Sequence, residues 1–348
     1  MGTDRTRKIR VPAITIAHGS GGKAMQDLID DVFLTEFGTS HTALEDQARF
    51  PLASLTALGD RLAFTTDSYV VNPLEFPGGN IGKLAVCGTI NDLAVGGAIP
   101  LYLSCAVIIE AGLPIDILRK IVRTMAETAR AAGVTIVTGD TKVVERGACD
   151  KLFINTSGVG VIRHGVDLGI TQPQPGDVVL VNGLLGDHGA AILNARGDLA
   201  LETPIASDCA ALHELVQTLL AAAPKTRFLR DATRGGLAAV LNEIALAAQV
   251  GIEIDEHQTP IRPAVKGFCE ILGLDPLYLA NEGKIVAVVP AAEVPQALAA
   301  CRSHPLGTDA AVIGTITDAT PGRVVMRTCF GGRRIVDMLV GEQLPRIC

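Results

Sequence analysis

The chain has 348 residues, 48% of them apolar and 19% charged. That is enough chain for one large or two ordinary domains, and too apolar for intrinsic disorder. The 30 Lys and Arg against 37 Asp and Glu leave a formal charge of −7, with no Trp and 3% aromatics, which excludes a non-specific nucleic-acid binder. Mean hydropathy is +0.35, yet the longest uncharged apolar run, residues 93–109, is shorter than the ~20 residues of a bilayer span. Gly96, Gly97 and Pro100 also break it. The N-terminal charges (Asp4, Arg5, Arg7, Lys8, Arg10) have no apolar signal core behind them, so a cytoplasmic protein without membrane contact is expected.

In chain order, residues 1–13 read as a mobile or edge-pairing arm. Residues 22–37 read as a helix, because Met25, Leu28, Ile29, Val32 and Phe33 share one 3.6-period face. A mixed, loop-like stretch spans 39–59. A strand over 61–66 runs into Asp67. The spacing predicts a helix over 80–95, a turn, and a strand over 101–109. Pro114 opens a helix that runs to about 131, Gly133 ends it, and strands follow over 134–138 and 152–161. Two prolines and a glycine punctuate residues 171–177, the best domain boundary in the chain. Beyond it, strands are expected over 178–182, 251–255, 285–289, 311–316 and 323–326, and helices over 187–196, 208–222 and 234–248. Mixed strands and helices in both halves predict an α/β or α+β fold.

None of the eight cysteines forms a CxxC pair, so a Cys-rich zinc or redox site is not expected. Cys87, Cys105 and Cys269 lie in apolar contexts and read as small core residues. Cys348 is the last residue.

Several short motifs could carry chemistry. His18-Gly19-Ser20-Gly21-Gly22-Lys23 precedes a helix. Its glycines let backbone N–H groups approach an anion and Lys23 adds a charge, though the spacing is not that of a P-loop. A glycine turn that only caps the helix is the plainer reading. Asp67 sits at a strand end, Asp92 follows Asn91 inside an apolar stretch, and Asp140 follows an apolar strand. Singly each reads as a turn or cap. Together, hard oxygen ligands and anion donors suit Mg²⁺ with a nucleotide triphosphate. The second half adds Asp231-Ala232-Thr233-Arg234-Gly235-Gly236 before a helix and Asn281-Glu282-Gly283-Lys284 before a strand. His188 lies in a glycine-rich turn; it is the histidine best placed to be near a site, though a solvated turn histidine is the plainer expectation. No GxSxG elbow exists for a hydrolase triad. A terminal cysteine reads most plainly as an accident or a dimer disulfide. The functional reading of Cys348 is the tip of a swinging arm outside the core, since from Gly341 the last seven residues reach roughly 25 Å when extended. Arg346 favours its thiolate and the terminal carboxylate opposes it.

These motifs together resemble the HypE family of hydrogenase maturation factors, within the aminoimidazole-ribonucleotide-synthetase-like superfamily. The resemblance runs from about His18 to Cys348. It rests on the glycine–lysine loop, Thr66-Asp67-Ser68, Thr89-Ile90-Asn91-Asp92-Leu93-Ala94, Gly139-Asp140-Thr141-Lys142-Val143, the two motifs of the second half and the closing Pro345-Arg346-Ile347-Cys348. It implies a two-domain fold: an ATP-binding and dimerisation domain over 1–170, a C-terminal α/β domain over 171–340, and a mobile tail over 341–348. It implies a homodimer through the N-terminal sheets. The activity implied is ATP-dependent dehydration of a carboxamide on Cys348 to a thiocyanate. In that family the carbamoyltransferase HypF loads the cysteine, and a HypC–HypD complex accepts the cyanide for the iron of nickel–iron hydrogenases. By motif position Asp67, Asp92 and Asp140 become Mg²⁺ ligands. Gly19, Ser20, Gly21, Gly22, Lys23, Asn91, Thr141, Asp231, Gly235 and Gly236 join them as nucleotide-binding residues. Lys142 and Glu282 become the bases and Cys348 the carrier. Two other readings stay in view. A phosphotransfer relative such as selenophosphate synthetase or thiamin-monophosphate kinase is one, although the first cysteine is Cys87 rather than an N-terminal one. A nucleotide-regulated delivery scaffold is the other.

Overall fold

The computed structural model describes residues 9–38, 45–197, 204–339, 341 and 346–348. Residues 1–8 of the expected arm and 342–345 of the expected tail lie outside them. The first expected helix forms as α1 (Lys23–Leu28), a π-helical stretch (Ile29–Leu34) and α2 (Thr35–Phe37) in unbroken succession. Leu28, Val32 and Phe33 are buried, as the periodicity predicts. Gly38, at φ +78°, ends it.

The short α3 (Leu52–Thr56) precedes β1 (Arg61–Tyr69), and a small hairpin of β2 (Glu75–Phe76) and β3 (Gly79–Asn80) leads into α4 (Ile81–Val95). The Asn80 side chain starts this helix by accepting from Gly82 N at 2.9 Å and Lys83 N at 3.0 Å. Helix α4 is apolar on every side and buried on nearly every side, the mark of a helix wrapped by protein. The first sheet lies against one flank. At the helix end, Ala94 and Val95 pack into a second-domain cluster with Leu212, Leu215 and Leu219. β4 (Ala98–Glu110), α5 (Ile115–Ala131), β5 (Thr135–Val144) and β6 (Leu152–Ile162) complete the first sheet, in the order β1-β6-β4-β5. Pairing is antiparallel except between β4 and β5, which α5 connects as a crossover. Helix α5 buries Leu118, Ile121, Val122 and Met125. The opposite face of the sheet carries Leu62, Phe64 and Ile108, all exposed.

One strand differs from expectation with consequences for the site. β5 does not stop at Thr138 but runs to Val144, pairing Asp140 with Ala106 and Lys142 with Ile108. The Gly139-Asp140-Thr141 sequence, which reads as a turn, is held in the ladder by its neighbour strand.

The second domain contains β7 (Asp177–Val181), α6 (Asp187–Ala195), α7 (His213–Ala222), β8 (Phe228–Asp231), α8 (Gly236–Ala248), β9 (Gly251–Asp255), α9 (Pro263–Leu272), β10 (Ile285–Pro290), α10 (Val294–Ser303), β11 (Ala311–Thr317), β12 (Val324–Arg327) and β13 (Arg333–Val336). Its seven strands run in the order β13-β12-β9-β11-β7-β10-β8. The result is the expected two-domain α/β (α+β) architecture, with one large sheet in each domain. Among the described residues no helix is long and apolar enough to cross a membrane.

Candidate active site

Chain segments from both domains converge on one cleft. Asp67 comes from the end of β1, Tyr69 closes that strand, and Gly88 and Asp92 lie on α4. Asp231 ends β8, Thr233 and Arg234 form the turn into α8, Glu282 precedes β10, and Cys348 ends the chain. The space between them is about 30 Å³. Gly88 is required there, since a Cβ would stand 2.3 Å from the Tyr69 hydroxyl.

The cleft is strongly acidic, and burial raises its proton affinity. Burial pushes Asp92 up, with the Asp67 charge adding to it, against the hydrogen bond donated by Thr65 Oγ1 at 3.0 Å. Burial and the Asp92 charge push Asp231 up to about 7. Burial and the charges of Asp231, Asp208 and Asp67 hold Glu282 well above the usual carboxyl range. Its Oε1 is buried without a hydrogen-bond partner among the described residues. Burial, reinforced by Glu282, pushes the Cys348 thiol up to about 12, while Arg234 pulls it down.

Asp231 makes this arrangement measurable. Its folded-state pKa lies above the unfolded one, so its contribution is fully present below about pH 4 and is lost as pH rises through about 7. Asp231→Asn is therefore expected to be more stable than the native chain at pH 8, by at most about 4 kcal/mol at ~1.4 kcal/mol per unit. The difference should vanish near pH 4. Urea unfolding across that range checks it, and a difference that does not change with pH would refute the origin given.

The end of the tail does not lie outside the core. Val70 N donates to Cys348 O at 3.0 Å and Asn72 N to Arg346 O at 3.2 Å, so the tail adds to residues 70–72 like a short antiparallel strand. Arg346 pairs with Asp150 and donates Nε to Val70 O. Ile347 is 4% exposed and belongs to the first-domain core. That apolar side chain draws the tip inward.

The loop carrying Glu282 is held by a buried carboxylate that the sequence motifs did not single out. Asp208 accepts from Glu282 N at 3.0 Å, Gly283 N at 3.2 Å and Lys284 Nζ at 2.9 Å. Lys284 and these N–H groups outweigh burial and hold its pKa down. Because Asp208 turns to this loop, the helix expected from 208 begins at His213. Asn91, expected at the nucleotide or metal, instead joins the domains. Its Nδ2 donates to Ala210 O and its Oδ1 accepts from Leu212 N, at 3.0 and 2.8 Å. Gly235 and Gly236, at φ +75° and +60°, shape the turn before α8. His188, expected in solvent, is fully buried.

The remaining expected residues form a second group on the β5 edge. Gly19 packs on β5, where a Cβ would stand 2.8 Å from that of Val143. Ser20 Oγ donates to Ala17 O, Gly21 and Gly22 have open space around them, and Lys23 is exposed and pairs with Asp27. Asp140 and Lys142 pair at 2.9 Å, both exposed. This contact lowers the Asp140 pKa. Asp140 and Thr141 line a separate cavity of about 620 Å³ with Met25, Ile29, Phe33 and Phe50. The register Ser68–Asn155–Ala106–Asp140 puts Asp140 three strands from β1, about 14 Å at ~4.8 Å per strand. Asp140 therefore does not join Asp67 and Asp92 within one chain. Among the described residues no group of three or more His, Cys, Asp or Glu is placed to hold a metal. Likewise Lys142 does not stand beside Glu282.

Residues 45–162 match the N-terminal domain of AIR synthase related proteins, and residues 174–327 match the C-terminal domain. Carbamoyl dehydratase HypE of Rhodobacter capsulatus is 62% identical over 340 residues, 98% of this chain and 99% of that protein. The crystal structure of hydrogenase maturation protein HypE in complex with ATP superposes with a TM-score of 0.90 at 47% identity, covering 96% of this chain and all of that one. HypE from the HypE–HypF complex superposes at 0.78 with 50% identity, covering 80% of this chain and 90% of that one. With the acidic cleft and the docked terminal cysteine already in place, these likenesses assign the chain to the HypE carbamoyl dehydratase family of AIR synthase related proteins.

Proposed function

We propose that this protein converts a carboxamide carried on the Cys348 sulfur to a thiocyanate at the expense of ATP. The observation that carries this reading is the terminal thiol seated in a buried acidic cleft beside Glu282. An amide oxygen is a poor leaving group. Transfer of the γ-phosphoryl group to it releases ADP and makes it a good one. Loss of the two N–H protons and departure of phosphate then leave S–C≡N.

Glu282 suits the proton transfers. Its raised pKa makes its carboxylate a stronger base than a solvated one, and among the described residues its Oε1 accepts no hydrogen bond. Arg234 places positive charge in the cleft where phosphate must leave. Asp67 and Asp92 fit Mg²⁺, being two carboxylates that face one cleft with hard oxygen donors, and they would hold it there. Bound Mg²⁺ supplies neutralisation of phosphate charge. The cavity beside Asp140, with an apolar side of Met25, Ile29, Phe33 and Phe50, has room for a purine base.

The chain works as a homodimer in this reading. The first sheet has two edges, β1 and β5, and an outer face bearing exposed Leu62, Phe64 and Ile108. Joining two copies through that sheet brings the β5 edge of one copy, with Asp140 and Lys142, to the β1 edge of the other, with Asp67. The Mg²⁺ ligands and the second base are then completed in trans. HypF loads Cys348, as the HypE–HypF complex of a relative supports. A HypC–HypD complex takes the cyanide.

Intact mass tests the reading after incubation with carbamoyl phosphate, ATP, Mg²⁺ and HypF. A carbamoyl gain mapped to Cys348 that loses one water only with hydrolysable ATP is expected. No adduct on Cys348, with a HypF control that is competent, would remove the carrier mechanism.

A further inference from the structure

We propose that His188 is a positioning residue that seats the carrier tail, its tautomer set by Ser207. This inference rests on the dehydratase reading for its catalytic consequence, but the seating itself is structural. His188 Nε2 lies 2.7 Å from Ile347 O, the carbonyl immediately before Cys348. A carbonyl only accepts, so Nε2 carries the proton. Nδ1 is then the bare acceptor, and Ser207 Oγ stands 2.8 Å from it. Ser207 Oγ in turn accepts from Cys209 N at 3.1 Å, which leaves its own proton for Nδ1. Every donor and acceptor in this chain has one consistent role. Burial keeps the ring neutral against the Asp208 charge, and the Phe76 ring packs edge-on at 5.6 Å between centroids.

The geometry makes the second domain one jaw of a clamp. His188 lies on α6, and Arg196 at the end of that helix donates to Arg346 O at 3.0 Å. Residues 70–72 of the first domain hold Arg346 and Cys348 from the other side through backbone N–H groups. Carbonyls 346, 347 and 348 are thus each held, and among the described residues the side chain that holds 347 is His188. A shift of that carbonyl moves the adjacent sulfur relative to Glu282, only 4.0 Å from the imidazole. Misplacement on this scale is costly to a reaction that needs aligned groups.

The test uses the full chain and iodoacetamide, with alkylation read by peptide mass. Exposed Cys329 serves as the reference and buried Cys87 and Cys209 as unfolding controls. His188→Ala is expected to speed alkylation of Cys348 relative to Cys329 about tenfold, with Cys87 and Cys209 still protected. His188→Gln keeps an N–H donor at similar reach and should stay within about threefold of the native chain, with Ser207→Ala between the two. In the loaded protein, His188→Ala should lower dehydration about 10- to 100-fold at saturating ATP with an unchanged KM for ATP. An unchanged Cys348 to Cys329 ratio in His188→Ala overturns the clamp, and so does a His188→Gln chain as impaired as His188→Ala. If His188→Ala also exposes Cys87 and Cys209, the Ser207→Ala chain decides, and native-like protection of Cys348 in it overturns the proposal. Alkylation needs no dehydration, so a native chain that never dehydrates its tail would sink the catalytic reading and leave the clamp still judged by its own outcomes.

Discussion

Glu282→Gln should lower dehydration of the loaded tail by about 10²–10⁴-fold while HypF still loads Cys348 and ATP still binds. The substitution keeps the shape of a side chain that is 3% exposed and removes only its capacity to take a proton. The stability effect should go the other way. The folded-state pKa of Glu282 is raised, chiefly by burial. Its contribution to stability is therefore fully present below the unfolded value and is lost as pH rises through the folded one. The glutamine is neutral at every pH, so Glu282→Gln should melt higher than the native chain, increasingly so toward alkaline pH. A faster, less stable native chain and a slower, more stable variant would together mark an acid kept for chemistry. Native turnover by Glu282→Gln, measured as thiocyanate on the tail peptide, would show that the proton leaves by another group.

Much of the scaffold was legible because burial periodicity is strong in it. The amphipathic α5 and the largely apolar α4 could hardly be read otherwise, and residues 285–289 announce a strand buried on both faces. The four-residue β8 was too short to show a period. The extension of β5 through Asp140 was hidden because Gly139-Asp140 carries turn chemistry, and only pairing with β4 overrides it. The acidic residues were legible one at a time, but which of them meet was not. Asp67, Asp92, Asp231 and Glu282 come together through contact between domains, while Asp140 stays on the far edge of the sheet. Asp208 and Ser207 went unread, and His188 was read as a solvated turn histidine, because their roles arise from partners 19 to 159 residues away. Polarity alone does not reveal a partner at that distance. Ile347 did carry a signal, since an apolar residue next to the terminus has reason to be buried.

That separation of Asp67 from Asp140 and Lys142 leads to the second large effect. Asp67→Asn and Lys142→Ala chains, each assembled alone, should both fall to background dehydration. Mixed assemblies of the two should recover about one quarter of native activity. Random pairing makes half of the dimers mixed. If sites are completed in trans, each mixed dimer has one site with both defects and one intact site. If instead each chain built its site alone, every site in every dimer would carry one defect and nothing would recover. Within one chain, the register places Asp140 about 14 Å from β1, at ~4.8 Å per strand. Lys142 is 64% exposed and held to Asp140. Neither can serve the Asp67 cleft without the edge strand moving. Differently tagged chains, purified by both tags in succession, give mixed dimers free of the parents, and these should reach about half of native activity. Background activity in such a preparation would show that no site is completed in trans and would return the second base to the cleft of the same chain. There Asp231, with its pKa near 7, is the group able to act.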